Sequence, residues 1–357
     1  MGQQWEEFGV PLPLSYNPSM LTRSLDVHSM ASRAWNIYAE FMTRIWFSSV
    51  RTSVDHIFRT RYGEDYPTLR EICANVAYVF TNTEPLIDFS TPTLSRVIDL
   101  GGLGAKQPKE LDKYWASIMD RRSKVVLISF GSMAKSSLLA PSVKEAILKV
   151  VSAFPSVTFI WKYEEKDKFA RQSESSFDNL VLVDWMPQND ILDHPNLAVF
   201  ITHGGMGSVQ ELTLRGKPAI LVPIFGDQPR NAAMVEHNKL GKVLSKFEVG
   251  NHEKIISLLK ELIENKLHLE NSQRVARMLS KKPFSSKEKL LKYVDFAAEF
   301  GPSSALRPQS HDMSFIEYHS LDIAAVAMAL IIAFVYVSLK AALFVLRTIR
   351  TTKSKRD

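Results

Sequence analysis

Short apolar runs alternate with helical segments through the middle of the chain, and this alternation constrains the fold more than any other feature. Strands are predicted at 124–130, 157–161, 180–183, 198–202 and 219–222. Helices are predicted between or after them at 141–154, 208–215 and 228–239. Strands that alternate with helices form a parallel sheet covered by helices on both faces. The sequence therefore predicts a doubly wound α/β domain.

The segment 201–212 indicates where such a sheet would bind a ligand. The predicted strand ends at His203, and Gly204, Gly205 and Gly207 follow. Ser208 and Glu211 then form an S-x-x-E pattern, which is typical of a helix capping box. A strand, a glycine turn and a helix start together offer free backbone N–H groups to an anion. The sequence therefore predicts an anion site with His203 beside it.

Other polar and aromatic side chains also follow predicted strands, at the edge where open α/β sheets bind ligands. Those outside the 201–212 segment are Ser132, Trp185, Gln188, Asp227 and Gln228. A ring that can stack, an amide and an acid suit a nucleoside diphosphate that carries a polar head group. Each residue also has an ordinary alternative: Trp185 could pack in the core, His203 could be a core histidine, and Glu211 could cap its own helix. The G-x-G-x-x-G pattern is not met, which disfavours a nicotinamide cofactor.

Taken together, these residues resemble the signature of the UDP-glycosyltransferases, and more closely that of the membrane-bound animal UDP-glucuronosyltransferases. The signature is carried by Trp185–Gln188, Phe200–Gly205, Glu211, Gly216–Pro218 and Phe225–Pro229. Further segments are similar to parts of the same family: 10–16 to a late part of its N-terminal domain, 129–133 to its phosphate loop, and 318–322 to its membrane anchor. The resemblance thus covers nearly the whole chain.

The resemblance implies a GT-B fold and the transfer of a sugar, with inversion, from a UDP-sugar to a hydroxyl of a small lipophilic acceptor. Trp185 would stack on uracil, Gln188 would meet the ribose or base, and Glu211 would accept from ribose hydroxyls. The implied donor-binding residues are Ser132, Trp185, Gln188, His203, Gly204, Gly205, Gly207, Ser208, Glu211, Asp227 and Gln228. The donor is UDP-glucuronate or UDP-glucose, since Thr81 stands where vertebrate members carry a basic residue. No cofactor and no metal are expected.

The family's acceptor-activating histidine and its supporting aspartate lie near the start of the N-terminal domain. None of the nine histidines has that context, so no catalytic residue is assigned in this chain. His28 and His56 fall in a predicted helix over 26–62 and are expected at the surface. An N-terminally truncated chain without useful transfer activity is therefore expected. The alternative function is a catalytically deficient, UDP-sugar-binding membrane protein or a partner of full-length relatives.

The predicted organisation has six parts. They are the C-terminal part of an acceptor-binding N-terminal domain (1–100), a linker (101–122), a UDP-sugar-binding domain (123–282), C-terminal helices with a membrane-proximal segment (283–320), a transmembrane helix (321–346) and a basic cytosolic tail (347–357). Strands at 76–80 and 96–100 are expected in the first part. Its long helix carries an apolar stripe, interpreted as core, with a membrane-facing or acceptor-lining role as the alternative: Trp35, Tyr38, Phe41, Met42, Ile45 and Trp46.

The C-terminal apolar run is uncharged over 323–339 and, continued past Lys340, is long enough to cross a bilayer. A buried core helix is the alternative. The basic tail places that end in the cytosol and the bulk of the chain across the membrane. Lys353 and Lys355 resemble a dilysine retrieval pattern, which predicts a single-pass protein of the endoplasmic reticulum with a lumenal bulk.

The charge distribution argues against one class of partner, and the cysteine content argues against a disulfide. Of the formal net charge of +6, most comes from the tail, and no block of positive charge lies elsewhere, so no nucleic-acid partner is expected. Cys73 is the one cysteine, which excludes an internal disulfide. The expected partners are the UDP-sugar, a small lipophilic acceptor and membrane lipid. Association with copies of itself or with relatives is left open.

Overall fold

Six parallel strands form the main sheet of the computed structural model, which describes residues 7–22 and 25–353. The strands are β3 (Val125–Ser129), β4 (Thr158–Lys162), β5 (Leu180–Val183), β6 (Leu197–Thr202), β7 (Ala219–Leu221) and β8 (Gly241–Val243). Their spatial order is β5-β4-β3-β6-β7-β8, so the direction of winding reverses between β3 and β6. The predicted doubly wound parallel sheet is confirmed, and β8 adds an edge strand that the sequence did not predict.

Helices connect successive strands and cover both faces of the sheet. The helices of the described chain are α1 (Met30–Tyr62), α2 (Leu69–Ala74), α3 (Lys113–Met119), α4 (Pro141–Ala153), α5 (Lys168–Ser176), α6 (Gln188–Asp193), α7 (Met206–Leu214), α8 (Gln228–His237), α9 (His252–Glu264), α10 (Lys266–Ser280), α11 (Ser286–Phe300), α12 (Phe315–Tyr318) and α13 (Leu321–Lys353).

Successive strand residues point to opposite faces of the sheet, and helices bury both faces. Val125 and Leu127 belong to the apolar cluster that contains residues of α3, α7, α8 and α10. Val126 and Ile128 belong to a second cluster on the other face, with residues of α4 and α9. Fully buried parallel strands read as continuous apolar runs, which explains why the strands could be located from the sequence.

A smaller part of the fold precedes this sheet. Strands β1 (Val79–Thr81) and β2 (Val97–Asp99) pair in parallel, as expected for a partial N-terminal α/β domain. This part rests on α7 and α8. The side chain of Gln210 donates to the backbone oxygen of Asn82 at 3.0 Å, and Arg230 pairs with Asp88 at 2.7 Å. The N-terminal part is therefore fixed to the two helices that follow β6 and β7.

Helix α1 is one continuous helix, but its predicted orientation is wrong. The apolar stripe interpreted as core is exposed, from 41% for Met42 to 60% for Trp46. The buried residues of the helix are instead polar or small. They are Asn36, Ala39, Glu40 and Thr43.

The polar face is buried because Asn36 organises the preceding segment. Its amide oxygen accepts from the backbone N–H of Ser19 at 2.8 Å and from the hydroxyl of Thr22 at 2.7 Å. Its amide nitrogen donates to the backbone oxygens of Leu14 and Asn17. A fully hydrogen-bonded buried amide avoids the free-energy cost of an unpaired one, so the segment packs on this face and leaves the apolar stripe outward.

By its contacts, the chain separates into two compact units, residues 1–306 and 307–357. In the second unit, Leu321–Val345 is long and apolar enough to cross a bilayer, and none of it is buried against protein, unlike a core helix. The helix continues to Lys353 through the first part of the predicted tail. Lys355 lies outside the described residues. The six-part organisation given above remains a prediction.

Candidate functional site

The candidate site lies where the winding of the main sheet reverses. Strands β3 and β6 are neighbours in the sheet, and their carboxyl ends lead into Gly131 and His203. In open α/β sheets, the crevice outside the carboxyl ends of strands at such a reversal is the usual place for a ligand. We call the residues that follow β3, β4, β5, β6 and β7 at this edge the rim.

The imidazole of His203 is held between two glycines. A Cβ atom at Gly131 would lie 2.7 Å from Cε1 of His203, and one at Gly205 would lie 2.6 Å from its Nε2. Gly131 also has a φ of +84°, which favours glycine by itself. The phosphate-loop segment predicted at 129–133 is therefore in direct contact with His203.

The N-terminus of α7 faces the rim without a side-chain cap. The helix begins at Met206 with Gly205 as its N-cap, and no side chain accepts from its first turn. The capping box predicted from Ser208 and Glu211 is therefore wrong. The physical reason is that the helix already begins at Met206, so Ser208 lies inside the first turn, and the Glu211 carboxylate is bonded to Gln188. The N–H groups of the first turn, at Met206, Gly207 and Ser208, remain free of side-chain partners and can bind an anion.

Glu211 is instead paired with Gln188, the first residue of α6. The side-chain amide of Gln188 donates to its carboxylate at 2.5 Å and to the hydroxyl of Ser208 at 3.3 Å. Burial raises the pKa of Glu211, while the bond from Gln188 and the charge of Arg215 oppose this rise. Three residues predicted for one ligand thus lie together, with carboxylate and hydroxyl oxygens available as acceptors.

Lys162 was missed by the sequence analysis. Its ammonium group donates to the backbone oxygen of Gly131 at 2.9 Å, beside His203. The residue directly follows the strand predicted at 157–161, so the rule that found the other rim residues could have found it too. It brings a positive charge to the loop that touches His203.

Asp227 also lies near His203 and is linked through Asn231 to Gly204. The buried side chain of Asn231 donates to the backbone oxygen of Gly204 at 3.0 Å and to the Asp227 carboxylate at 2.9 Å. Burial lowers the pKa of His203, the positive charge of Lys162 lowers it further, and Asp227 acts in the opposite direction. The ring is therefore neutral near pH 7 and presents one N–H donor.

The other predicted residues are placed differently. Gln228 is buried, and its side-chain oxygen accepts from the backbone N–H groups of Ile224 and Phe225 at 2.8 and 3.1 Å, so it holds its own loop. Trp185 is 69% exposed. Ser132 is exposed next to Gly131. The geometry thus offers a candidate anion site at His203, acceptor oxygens on Ser208 and Glu211, and an uncovered indole at Trp185.

The chain is similar to known proteins over almost its whole length. Residues 2–356 match the model of the family described as UDP-glucoronosyl and UDP-glucosyl transferase. A putative UDP-glucuronosyltransferase of Caenorhabditis elegans, ugt-48, is 30% identical over 91% of this chain and 62% of its own length. The rat UDP-glucuronosyltransferase 1A8 is 26% identical over 92% of this chain and 61% of its own. The chain thus spans about three fifths of the length of these relatives.

The fold is also found among solved structures. The crystal structure of the glycotransferase of kitacinnamycin aligns with a TM-score of 0.50 and 17% identity, over 71% of this chain and 62% of the other. At this identity the likeness concerns the fold alone. It agrees with the GT-B arrangement that the sequence resemblance implied.

The opposing charges beside His203 make its titration a test of the site geometry. We expect Asp227→Asn to lower the pKa of His203 further, because a nearby carboxylate favours the imidazolium form. We expect Lys162→Gln to raise it, because a nearby cation disfavours that form. Histidine-selective NMR across a pH series measures both changes, with Lys149→Gln on the exposed surface of α4 as a control. Two shifts of the same sign, or none, would contradict the arrangement.

Proposed function

Since the chain belongs to the UDP-glycosyltransferase family, we propose that it binds a UDP-sugar at the rim of the main sheet. The observation that carries the proposal is the contact of His203 with Gly131 and Gly205 in front of the uncapped start of α7. A neutral imidazole N–H, free backbone N–H groups and a lysine form a complementary site for a diphosphate.

The remaining parts of the donor have counterparts around this pocket. The exposed indole of Trp185 offers a stacking surface for uracil. Glu211, held by Gln188 at 2.5 Å, offers carboxylate oxygens to the ribose hydroxyls. Asp227 is exposed beside His203 and can accept from sugar hydroxyls. Gln228, in contrast, must release its own loop before it can contact a sugar.

The proposed reaction is inverting transfer to a hydroxyl of a small lipophilic acceptor. The acceptor oxygen forms a bond to the anomeric carbon as the bond from that carbon to the diphosphate breaks. UDP leaves with the electron pair, and a base takes the acceptor proton. Donors that face the leaving diphosphate stabilise the charge that develops in the transition state. The names of the relatives favour UDP-glucuronate as the donor, and UDP-glucose is the second candidate.

The transfer also needs a general base, and the histidines considered for that role are unfavourably placed in this chain. His28 and His56 are exposed, and neither ring forms an ion pair within the described residues. His194 lies near Asp120 and His268 near Glu261, at 3.7 and 3.5 Å. Each pair lies close to the start of a strand, β6 and β8 respectively, at the edge opposite the rim. These features favour UDP-sugar binding without efficient transfer by this chain alone, which is the second candidate function.

For localisation, we propose a single-pass protein of the endoplasmic reticulum membrane with its bulk in the lumen. The apolar span Leu321–Val345 and the basic residues after it support this orientation. Protease added to sealed microsomes should remove only the C-terminal tail. Digestion of the bulk without detergent would contradict the orientation.

Substitution of Trp185, the stacking residue, or of His203, the hydrogen-bond donor, should weaken UDP binding. Trp185→Ala should cost about 1–3 kcal/mol, the range for a base stacked on an aromatic ring. His203→Gln should also weaken binding, because the amide cannot reproduce the ring between the two glycines. Calorimetric titration of UDP into the solubilised protein measures both.

Trp35→Ala is the matched control, since it removes another exposed indole, on α1. Binding by both rim variants at the affinity of the parent protein would contradict the site. So would an equal loss in the Trp35 variant.

Turnover by the 357-residue chain should be far below what its UDP affinity would permit. A positioned general base contributes roughly 10²–10⁴-fold to such a transfer. Microsomes that carry the chain are assayed with UDP-glucuronate and UDP-glucose against a panel of phenols. His28→Gln and His56→Gln should leave the residual rate unchanged. Robust turnover that either substitution abolishes would identify a base and overturn the second candidate function.

A further inference from the structure

A second cavity lies between the α10–α11 turn and the residues around β1 and β2. Its volume is about 610 Å³, within the range of small-molecule sites. We call it the basic cavity, and none of its residues belongs to the rim. It is lined by Glu84, Pro85, Leu86, Asp99, Arg274, Arg277, Met278, Lys281, Lys282, Pro283 and Lys289.

The walls of the basic cavity are held by specific bonds. Lys282, in the turn after α10, forms an ion pair with Glu84, whose side chain is only 5% exposed. The hydroxyl of Ser286, at the start of α11, donates to the backbone oxygen of Gly101 at 2.8 Å. These bonds fix the turn against the N-terminal part, so the cavity is bounded by two elements that cannot separate freely.

Helix α10 turns a stripe of cations into this space. Arg274, Arg277 and Lys281 are spaced three and four residues apart, which places them on one helix face. Lys289 comes from α11 and completes the set. Between residues 271 and 287 the chain carries five cations and no acid. The stripe was not recognised as a basic block because other residue types separate the cations along the chain.

Within the described residues, none of these four cations forms an ion pair. The two carboxylates of the cavity are engaged elsewhere: Glu84 pairs with Lys282, and Asp99 accepts from the hydroxyl of Thr81 at 2.6 Å. The helix dipole favours cations at the end of α10, but it does not account for Lys289 on the next helix. Like charges that converge without partners repel one another, and an anion would relieve that repulsion.

One part of the lining is apolar. Leu86 and Met278 lie among the cations, together with Pro85 and Pro283. Guanidinium groups recognise phosphate oxygens in pairs of parallel hydrogen bonds. We propose that the basic cavity binds a small organic phosphate, with its phosphate on Arg274, Arg277 and Lys281 and its apolar part against Leu86 and Met278.

The test uses the detergent-solubilised full chain with Trp185→Ala and His203→Gln in every sample, so that phosphate binding at the rim is weakened while the basic cavity is left free. Phenyl phosphate and inorganic phosphate are titrated by calorimetry. We expect phenyl phosphate to bind the more tightly, because only its ring can use the apolar wall. Arg277→Gln with Lys281→Gln should weaken phenyl phosphate by about tenfold or more, since charge-assisted bonds to phosphate are lost.

The matched control removes two exposed cations that do not line the cavity, Lys149→Gln with Lys260→Gln, and should change the affinity by less than about twofold. Unchanged binding by the cavity variant overturns the proposal, as does an equal loss in the control or no binding of phenyl phosphate by the protein with an unaltered cavity. UDP affinity is measured separately on the chain with an unaltered rim. If UDP does not bind, the function at the rim is contradicted, while the comparison of the cavity and control variants still reports on the basic cavity.

Discussion

The ring of His203 occupies a space that only two glycines leave open, and the arrangement of the rim depends on this contact. Gly131 ends β3 and Gly205 begins α7, so the ring joins the two neighbouring strands at which the winding of the sheet reverses. A side chain at either glycine would displace the ring. Because Gly205 carries no side chain, α7 also begins without a cap, and its first N–H groups face the same crevice. One steric constraint therefore produces both the imidazole donor and the uncapped helix start.

Helix α7 connects this pocket to the rest of the molecule. Its first turn faces the candidate anion site, and Glu211 in the next turn accepts from Gln188 at the start of α6. On the same helix, Gln210 binds the backbone of Asn82 in the N-terminal part. Since Val209 and Leu212 are fully buried in the core beneath it, the helix cannot shift without disturbing all three contacts. Helix α7 thereby joins the rim to the part of the chain that precedes the main sheet.

The N-terminal part illustrates how hydrogen bonding can outweigh apolar periodicity. Helix α1 has a clear apolar stripe, yet the face that packs against the protein carries Asn36 and Glu40. The buried amide of Asn36 is satisfied by four hydrogen bonds with the segment 14–22, two accepted and two donated. The stripe remains outward as a large apolar surface. Because its aromatic residues are exposed, α1 differs from the short amphipathic helices that cover the main sheet with their apolar faces.

The sequence by itself determined the sheet, since buried parallel strands leave continuous apolar runs that need no tertiary information to recognise. It also determined most of the rim, because residues that follow parallel strands must gather at one edge. Lys162 follows a predicted strand, so the same rule places it at the rim. The tertiary structure alone decided three matters. Helix α7 begins at Met206 rather than at Ser208, and Glu211 accepts from Gln188 instead of capping its own helix. The hydrogen bonds of Asn36 decided which face of α1 is buried. The packing of α10 and α11 on the N-terminal part gathered cations that are separated along the chain, because distance in the fold depends on contacts that no local pattern records.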